Sequence, residues 1–421
     1  MKVFKFGGAS VNSADAVRNM ALIVKNHLES DPLVVVVSAM GKTTNLLEKL
    51  VPGVRCDDVA TLRRQLEDYH RTIACALMPD NVEVQQTIDR CLLQLDESIA
   101  SLSDDESCYN FNYDQVVSYG EILSTSIIAG YFKSLGINTV WGDARRLVRT
   151  DSHYREGRVD WSATRKAVLS FVSESKRCSV ILTQGFIGGT DDGHTTTLGR
   201  EGSDYSAAIL AYCLGAADVT IWKDVPGFLS ADPKFFHDTV KIKEIPYNEA
   251  IELAYYGASV IHPKTVKPLQ NMNIPLYIRS FISPESEGSA IGNYHTISPE
   301  TPLYIFRDNQ ILLSILPRDY SFIAEDNMQV IFGMLNTLGI RVNLMQNSAL
   351  SFSICIDNNP QLVERLTSRL KNMFRVRYND HLQLITIRYY TQEVIDSIVA
   401  DRHILLEQRS RTTEQLVVPA R

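Results

Sequence analysis

The run Leu33-Val34-Val35-Val36-Val37 constrains the fold of this chain more than any other stretch. Five unbroken apolar residues, four of them β-branched, are too few to span a bilayer and leave no wet face. Such a run is a strand covered on both sides, the habit of a parallel sheet under helices. The surrounding pattern agrees. Residues 3–6 read as a strand ending in a Gly-rich turn, and a helix starts near Ser13 with Val17, Met20, Ala21 and Val24 on one stripe. Residues 45–105 and 115–130 carry helical patterns, and further strands are expected at 138–141, 179–183, 218–222 and 275–279. Strands alternating with helices predict an α/β domain with a mainly parallel central sheet covered by helices.

At 421 residues the chain is long enough for two or three domains of ~100–200 residues each. With 45% hydrophobic and 22% charged residues it can bury a large core without metals or disulfides. The net charge of −7 and the lack of a Lys/Arg block argue against a nucleic-acid surface, so anionic ligands must be met by locally placed cations. The seven cysteines include no Cys-x-x-Cys pair, which makes them reduced, mostly structural thiols. No metal site of the protein's own is expected. The start lacks the apolar core of a secretory signal, and no stretch reads as a membrane span. A cytoplasmic protein is expected.

Composition shifts at the polar stretch 283–289, a linker candidate. Beyond it, strands are expected at 311–316, 341–345, 350–356, 374–377 and 382–388, with helices at 327–338, 360–373 and 391–400. Two copies of a small β-α-β-β unit account for this order. The expected division is a catalytic domain over 1–290 and a tandem region over 300–421, its units at roughly 305–370 and 371–421.

Four segments carry chemistry. In Lys5-Phe6-Gly7-Gly8-Ala9-Ser10, two glycines at a strand end allow backbone N–H groups close to phosphate oxygens, and Lys5 can neutralise charge on a transferring phosphoryl group. Ser38-Ala39-Met40-Gly41-Lys42-Thr43-Thr44 is no P-loop, because Val36 stands where that motif needs glycine. It remains a glycine turn at a strand C-terminus, where open α/β sheets place ligands; Thr44 is there either a helix cap or a carboxylate ligand. The third is Gly185-Phe186-Ile187-Gly188-Gly189 followed by Thr196-Thr197-Leu198-Gly199-Arg200-Glu201-Gly202-Ser203-Asp204, before a small-residue helix. Arg200 offers a bidentate fork for a carboxylate, while Ser203 or Asp204 could simply cap the helix. The fourth, Trp222-Lys223-Asp224 with Lys234 beyond, would suit a nucleotide.

These segments, with Gly120-Glu121-Ile122-Leu123-Ser124 and Tyr256-Gly257-Ala258-Ser259-Val260-Ile261-His262-Pro263, follow the order seen in aspartate kinases, and over nearly its whole length the chain resembles that branch of the amino-acid kinase family. The resemblance implies an amino-acid kinase fold followed by tandem ferredoxin-like ACT units of α+β type. It implies transfer of the ATP γ-phosphate to the side-chain carboxylate of L-aspartate, the first step toward lysine, threonine and methionine, with Mg2+ entering on the nucleotide. Lys5 would stabilise charge on the γ-phosphoryl group and Asp204 would organise that lysine. Arg200 would hold a substrate carboxylate with Thr44 and Ser203 assisting, and Glu121 the amino group. Lys5, Gly7, Gly8, Lys223, Asp224, Lys234, Ser259 and Val260 would meet ATP. An amino-acid effector, with Asn343 and Ser348 near its site, and a homodimer through the ACT units complete the expectation.

The chain departs from that pattern in places. Ala9 and Lys223 stand where threonine is usual, Glu201 where glycine is, Lys234 where arginine is, and Leu229 where tyrosine is. Ser259 replaces a lysine of some members, for which Lys264 is a partial substitute. In the regulatory half, Asn343 and Ala349 replace two acids that would pair with a lysine effector's ammonium groups, so weak lysine inhibition or another effector is expected. The competing expectations are another amino-acid kinase and a catalytically dead amino-acid sensor.

Overall fold

The computed structural model describes residues 1–421 except 30, 55–57, 176, 237, 259, 320, 401 and 421. The chain forms two compact units. The first comprises Met1–Phe228, Lys241–Ala254 and Ser259–Pro299, and the second Leu229–Val240, Tyr255–Ala258 and Glu300–Arg421.

The first unit is built on strands β1 (Lys2–Phe6), β2 (Leu33–Val37), β3 (Thr139–Gly142), β4 (Val180–Gln184) and β7 (Asp218–Lys223), with β10 (Glu244–Pro246), β11 (Leu276–Ser280) and β12 (Ser289–Gly292). A short hairpin, β5 (Ile187–Gly189) and β6 (Thr195–Thr197), stands apart; β8 (Phe228–Leu229) and β9 (Lys241–Ile242) are two-residue strands. The sheet runs β10-β12-β11-β7-β1-β2-β4-β3, and the pairs from β11 through β7, β1, β2 and β4 to β3 are all parallel. All five residues of β2 are buried, as an apolar run without a wet face requires.

Helices of this unit are α1 (Ala14–Asn26), α2 (Thr43–Glu48), α3 (Val59–Leu77), α4 (Val82–Ser101), α5 (Tyr109–Val117), α6 (Tyr119–Ser134), α7 (Ala144–Leu147), α8 (Trp161–Glu174), α9 (Gly202–Leu214), α10 (beginning at Tyr247) and α11 (Pro263–Asn271). The α1 stripe buries Val17, Met20, Ala21 and Val24, and the Ser13 side chain caps it by accepting from the Ala16 N–H at 3.2 Å. The helix expected over 115–130 is two helices that meet at Ser118, a break that the apolar pattern on both sides conceals. The polar stretch 283–289 is a turn, not a boundary: β12 follows it and pairs antiparallel with β11, returning the chain to the same sheet.

In the second unit, β13 (Leu303–Pro317), β14 (Val342–Asn347), β15 (Phe352–Asp357), β16 (Phe374–Arg388), β17 (Leu406–Arg409) and β18 (Thr413–Pro419) form one sheet in the order β14-β15-β13-β16-β18-β17, antiparallel throughout. Ile311, Leu313 and Ile315 of β13 pack with Ile331 and Leu335 of α12 (Glu325–Thr337) and with Leu366 and Leu370 of α13 (Pro360–Leu370). Ile385 and Ile387 of β16 pack with Ile395 and Ile398 of α14 (Gln392–Val399). Leu312, Leu382 and Leu384, at the alternate positions, belong to a separate cluster, as a period of two dictates. The strands expected separately at 374–377 and 382–388 are one strand of 15 residues, because the exposed polar segment between them hides the continuity of its pairing with β13.

The centre of the first unit's core is aromatic. Trp222 is fully buried and stacks on Phe6 at 6.0 Å between centroids, with Phe4 edge-on at 5.6 Å. Trp222→Ala is expected to destabilise the protein by ~3–5 kcal/mol, read as a lowered urea midpoint with the slope unchanged.

Candidate active site

Because β1, β2, β4 and β7 are parallel, their C-terminal ends lie along one margin of the sheet, where open α/β folds hold ligands. The register puts Lys5 opposite Ile221 on the neighbouring strand. Lys223, two residues further along β7, therefore shares a sheet face with Lys5. Helix α9 packs on that face with Ala207, Ala208 and Ala211 fully buried, side chains small enough for close approach. Its first turn delivers Asp204 between the two lysines: Lys5 Nζ lies 2.6 Å from Oδ1 and Lys223 Nζ 3.1 Å from Oδ2. Lys223 also donates to the Val260 carbonyl at 2.5 Å.

Burial alone would push the Asp204 carboxyl up, but the ammonium groups of Lys5 and Lys223 outweigh it and hold its pKa below the ordinary value. Burial likewise works against the charged form of Lys223, and Asp204, followed by Glu201, reverses the sign and raises its pKa. The helix N-terminus adds a favourable field for the aspartate anion.

Around this centre lies a cleft of about 690 Å³ lined by Lys5, Gly8, Thr44, Glu121, Arg200, Ser203, Asp204 and Lys223, all singled out from the sequence. Gly8 is forced by close approach: a Cβ there would lie 2.9 Å from the carbonyl oxygens of Ala39 and Gly41. Gly7 precedes the 3-10 turn Gly8–Val11 with extended backbone. Thr44 is the second residue of α2, whose cap position is Lys42, so the capping reading of Thr44 does not hold. Nor do Ser203 and Asp204 cap α9, because that position belongs to Glu201. Glu201 sits there at φ 53°, in the left-handed region that favours glycine.

Apart from Asp204 Oδ1, which is engaged by the ion pair with Lys5, two carboxylates in the cleft have a buried oxygen without a hydrogen-bond partner. Glu121 is buried; its Oε1 accepts from the Ala39 N–H at 3.2 Å, while Oε2 is unpartnered. Burial raises its pKa to about 8. Glu201 Oε2 is likewise buried and unpartnered, and burial raises its pKa against the opposing pull of Lys223.

Other expected residues fall elsewhere. Asp224 follows β7 and is exposed, and Lys234 belongs to the second unit, where its N–H donates to Asp232 Oδ1 at 2.9 Å. Ser259 lies outside the described residues. Lys264 is in a loose ion pair with Glu156 at 3.4 Å. In the second unit, Asn343 is tied into the sheet. Its Oδ1 accepts from Arg307 Nη1 at 3.0 Å, and its Nδ2 donates to Gln310 Oε1 at 2.8 Å and to Asp357 Oδ1 at 2.9 Å. Ser348 closes a small turn with Ser351, their hydroxyls 2.8 Å apart.

Residues that sequence reasoning missed also line the cleft: Tyr113, Arg155 and Glu156. Phe186, in the glycine-rich stretch singled out from the sequence, lines it as well. A Cβ at Gly185 would lie 2.6 Å from the Ser203 Cβ, so the residue after β4 has to be glycine for α9 to begin there.

The pattern of the amino acid kinase family matches residues 1–280. Over 402 residues the chain is 32% identical to the lysine-sensitive aspartokinase 3 of Escherichia coli (strain K12), covering 91% of this chain and 86% of that protein. It spans 48% of a bifunctional aspartokinase/homoserine dehydrogenase of Buchnera aphidicola, at 27% identity. The structure of E. coli aspartokinase III in complex with aspartate and ADP superposes over the whole chain and 96% of its own, with a TM-score of 0.83 and 28% identity. The parallel sheet under helices and the antiparallel sheet-and-helix region that follows it are thus those of a known kinase architecture. This chain belongs to the amino acid kinase family, and within it to the aspartokinases.

Proposed function

We infer that this chain transfers the γ-phosphate of ATP to the side-chain carboxylate of L-aspartate, giving 4-phospho-L-aspartate. One observation carries the reading: a buried cation–anion–cation row, Lys5–Asp204–Lys223, opens into the same cleft as a buried glutamate with one free oxygen. The row suits a transferring phosphoryl group, and the free Glu121 oxygen suits an amino acid's ammonium. The solved relative named above holds aspartate and ADP, which agrees with both.

The chemistry needs little from the protein beyond placement and charge. A carboxylate is already ionised at neutral pH, so its oxygen attacks the γ-phosphorus without a general base. The new O–P bond forms as the bond to the ADP oxygen breaks, and ADP carries away the electron pair. Lys5 and Lys223 neutralise charge on the phosphoryl oxygens while Asp204 fixes both ammonium groups. Gly7 and Gly8 bring backbone N–H groups toward the phosphates. Arg200, with Thr44 and Ser203, takes a substrate carboxylate. Asp224, Lys234, Ser259 and Val260 are proposed for the nucleotide, Val260 through the carbonyl that orients Lys223.

For Mg2+ the donor set fits in one respect. Both Asp204 oxygens are engaged by lysines, and no cluster of three ligating side chains occurs among the described residues. Glu201 Oε2 is the buried oxygen that would face a hydrated cation. Bound there on the nucleotide, magnesium would offset phosphate charge, held mainly by phosphate oxygens and water.

The second unit is proposed to regulate and dimerise. Phe322, Phe332, Met345, Leu350, Met373 and Tyr378 are exposed on it, and β14 is an edge strand. A second copy covering that edge would relieve both features. Both N–H groups of the Asn343 amide and one lone pair of its oxygen are already committed within the sheet, which leaves a neutral oxygen and no charge for a lysine ammonium. No described helix is long and apolar enough to cross a membrane, and the six described cysteines are unpaired, in keeping with a cytoplasmic enzyme.

With Mg-ATP and hydroxylamine, the protein is expected to yield hydroxamate from L-aspartate and not from L-glutamate or N-acetylglutamate. Asp204→Ala should cut the rate by ~100-fold or more, since it releases both lysines; a variant near wild type would sink the assignment. A second expectation concerns pH. In the free enzyme Glu121 keeps its proton up to about pH 8 and attracts an ammonium only once ionised. So kcat/KM for aspartate should rise with pH and level off above about 8, whereas Glu121→Gln should be weak and flat. The same shift, from 4.5, makes this group's contribution to the stability of the free enzyme largest below pH 4.5 and lost as pH rises through about 8. A third concerns lysine: at ~1 mM it should leave most activity intact, since charge-assisted contacts worth ~1.5–3 kcal/mol each are absent at Asn343 and Ala349. Half-inhibition below that concentration would refute the regulatory reading.

A further inference from the structure

Helix α5 carries two side chains that the scheme above does not use, Asp114 and Gln115. Asp114 is fully buried. Its Oδ2 accepts from the N–H of Thr197 at 2.9 Å and of Arg155 at 2.8 Å, and its Oδ1 from the Thr197 hydroxyl at 2.7 Å. The Gln115 amide brackets Thr195: its Nε2 donates to the Thr195 carbonyl at 2.8 Å, and its Oε1 accepts from the Thr195 N–H at 3.1 Å. Burial pushes the Asp114 pKa up to about 6 against the pull of its hydrogen bonds, so at neutral pH it is an anion that only accepts.

The strand so held is β6, three residues long and paired with the equally short β5. Two strands of that length do not keep themselves extended in water. Side chains of α5 stand in for a third strand. The N–H and C=O of both Thr195 and Thr197 are met in this way, the last of them by the Gly157 N–H at 2.8 Å.

Three residues beyond Thr197 is Arg200. It is exposed and has no hydrogen bond or ion pair of its own among the described residues, so the backbone on either side places it. On one side the chain enters α9, with the Gly202 N–H donating to the Gly199 carbonyl at 3.0 Å. On the other side is β6. The loop of Arg155 and Glu156 braces the same turn: a Cβ at Gly199, where φ is 78°, would lie 3.2 Å from the Arg155 carbonyl oxygen and from Glu156 Cγ. The Arg155 guanidinium stacks on Tyr113 at 4.4 Å, which fastens that loop to α5 as well.

Helix α5 ends at Val117, and α6, beginning at Tyr119, presents Glu121 to the cleft. Asp114 thus stands at the base of both walls, just ahead of the helix with Glu121 and bonded to the strand that leads to Arg200. The ammonium and carboxylates of aspartate are a few bonds apart, so the groups that receive them have to keep a fixed spacing.

We propose that Asp114 is a positioning residue of the aspartate site, which sets the spacing of Glu121 and Arg200 by clamping β6 to α5, with Gln115 as its second grip. This deepens the aspartate reading and rests on it. The role needs one oxygen that accepts from two backbone N–H groups at once, which a carboxylate or an amide can supply. Asparagine can therefore keep all three bonds, its Nδ2 donating to the Thr197 hydroxyl, whereas alanine keeps none.

The test reads each ligand separately, by KM in the hydroxamate assay and by calorimetric titration of L-aspartate and of Mg-ADP into the full chain. Asp114→Ala should weaken aspartate by ~10-fold or more and leave Mg-ADP within ~2-fold, and Asp114→Asn should restore most of the loss. Thr197→Val, which removes a single hydroxyl, should weaken aspartate by ~3-fold and gives the answer if the alanine variant does not fold. In an Arg200→Ala background, Asp114→Ala should add less than ~2-fold, because the clamp then has no guanidinium to place. Unchanged aspartate affinity, equal weakening of both ligands, or a full further loss in the Arg200→Ala background would overturn the proposal. Each leaves the aspartate assignment standing so long as the wild type yields hydroxamate from aspartate. A wild type that neither binds nor phosphorylates aspartate would overturn both.

Discussion

The rest of the active site depends on one buried carboxylate held between two ammonium groups. Asp204 is almost inaccessible to water, and so is the Lys5 side chain that it pairs with. A buried ion pair is a poor source of stability, because desolvation offsets much of the attraction. This one leaves two cations facing one anion, an excess of positive charge where a phosphoryl group would enter. The excess can exist because the fold supplies its conditions. Parallel register sets Lys5 and Lys223 on one face, alanines let α9 approach that face, and the helix N-terminus favours the aspartate anion. The departure at residue 223 from the family's usual threonine thus adds a cation to the centre of the site.

The sequence was legible where chemistry and backbone agree over short distances. A strand end, paired glycines and Lys5 identify one wall of the cleft, and Gly199-Arg200-Glu201-Gly202-Ser203-Asp204 identifies the other. Both are local patterns with few alternative explanations. Arg155 was not legible, because nothing in Tyr154-Arg155-Glu156-Gly157 distinguishes it from a solvated turn. Its place depends on Asp114, 41 residues earlier, and on Thr197, 42 residues later. Asp114 itself reads as a polar residue on a helix until its three partners are seen. The long strand β16 was hidden for a related reason: its exposed middle, with His381 at φ 53° and the register against β13 shifted there, looks like a loop, and only the pairing on both sides makes it one strand.

The unpartnered oxygens divide the site by task. A buried polar atom without a partner is costly, and the two such oxygens of this cleft that no ion pair engages mark positions completed by ligands. Glu121 shares its other oxygen with a backbone N–H and carries no neighbouring cation among the causes of its shift, so its site calls for an arriving positive charge. Glu201 stands among Lys223, Lys5 and Arg200, and its surroundings oppose the neutral form that burial favours. The first is suited to an ammonium, the second to the hydration shell of a cation brought by an anionic nucleotide. Burial with opposite electrostatic neighbours is what allows two glutamates in one cleft to serve different ligands.

The same reasoning separates Asn343 from a ligand-binding residue. An asparagine offers two donors and an acceptor with two lone pairs, and the sheet already uses both donors and one lone pair. To bind an effector it would have to release Arg307, Gln310 or Asp357, leaving one of them short of a partner. An aspartate at this position would carry a charge that the neighbouring Asp357 opposes and Arg307 favours, a balance that an arriving cation could tip. With the neutral amide the network is complete without any ligand. Residue 343 therefore ties β14 to β13 and β15 without carrying the charge that an arriving ammonium would seek.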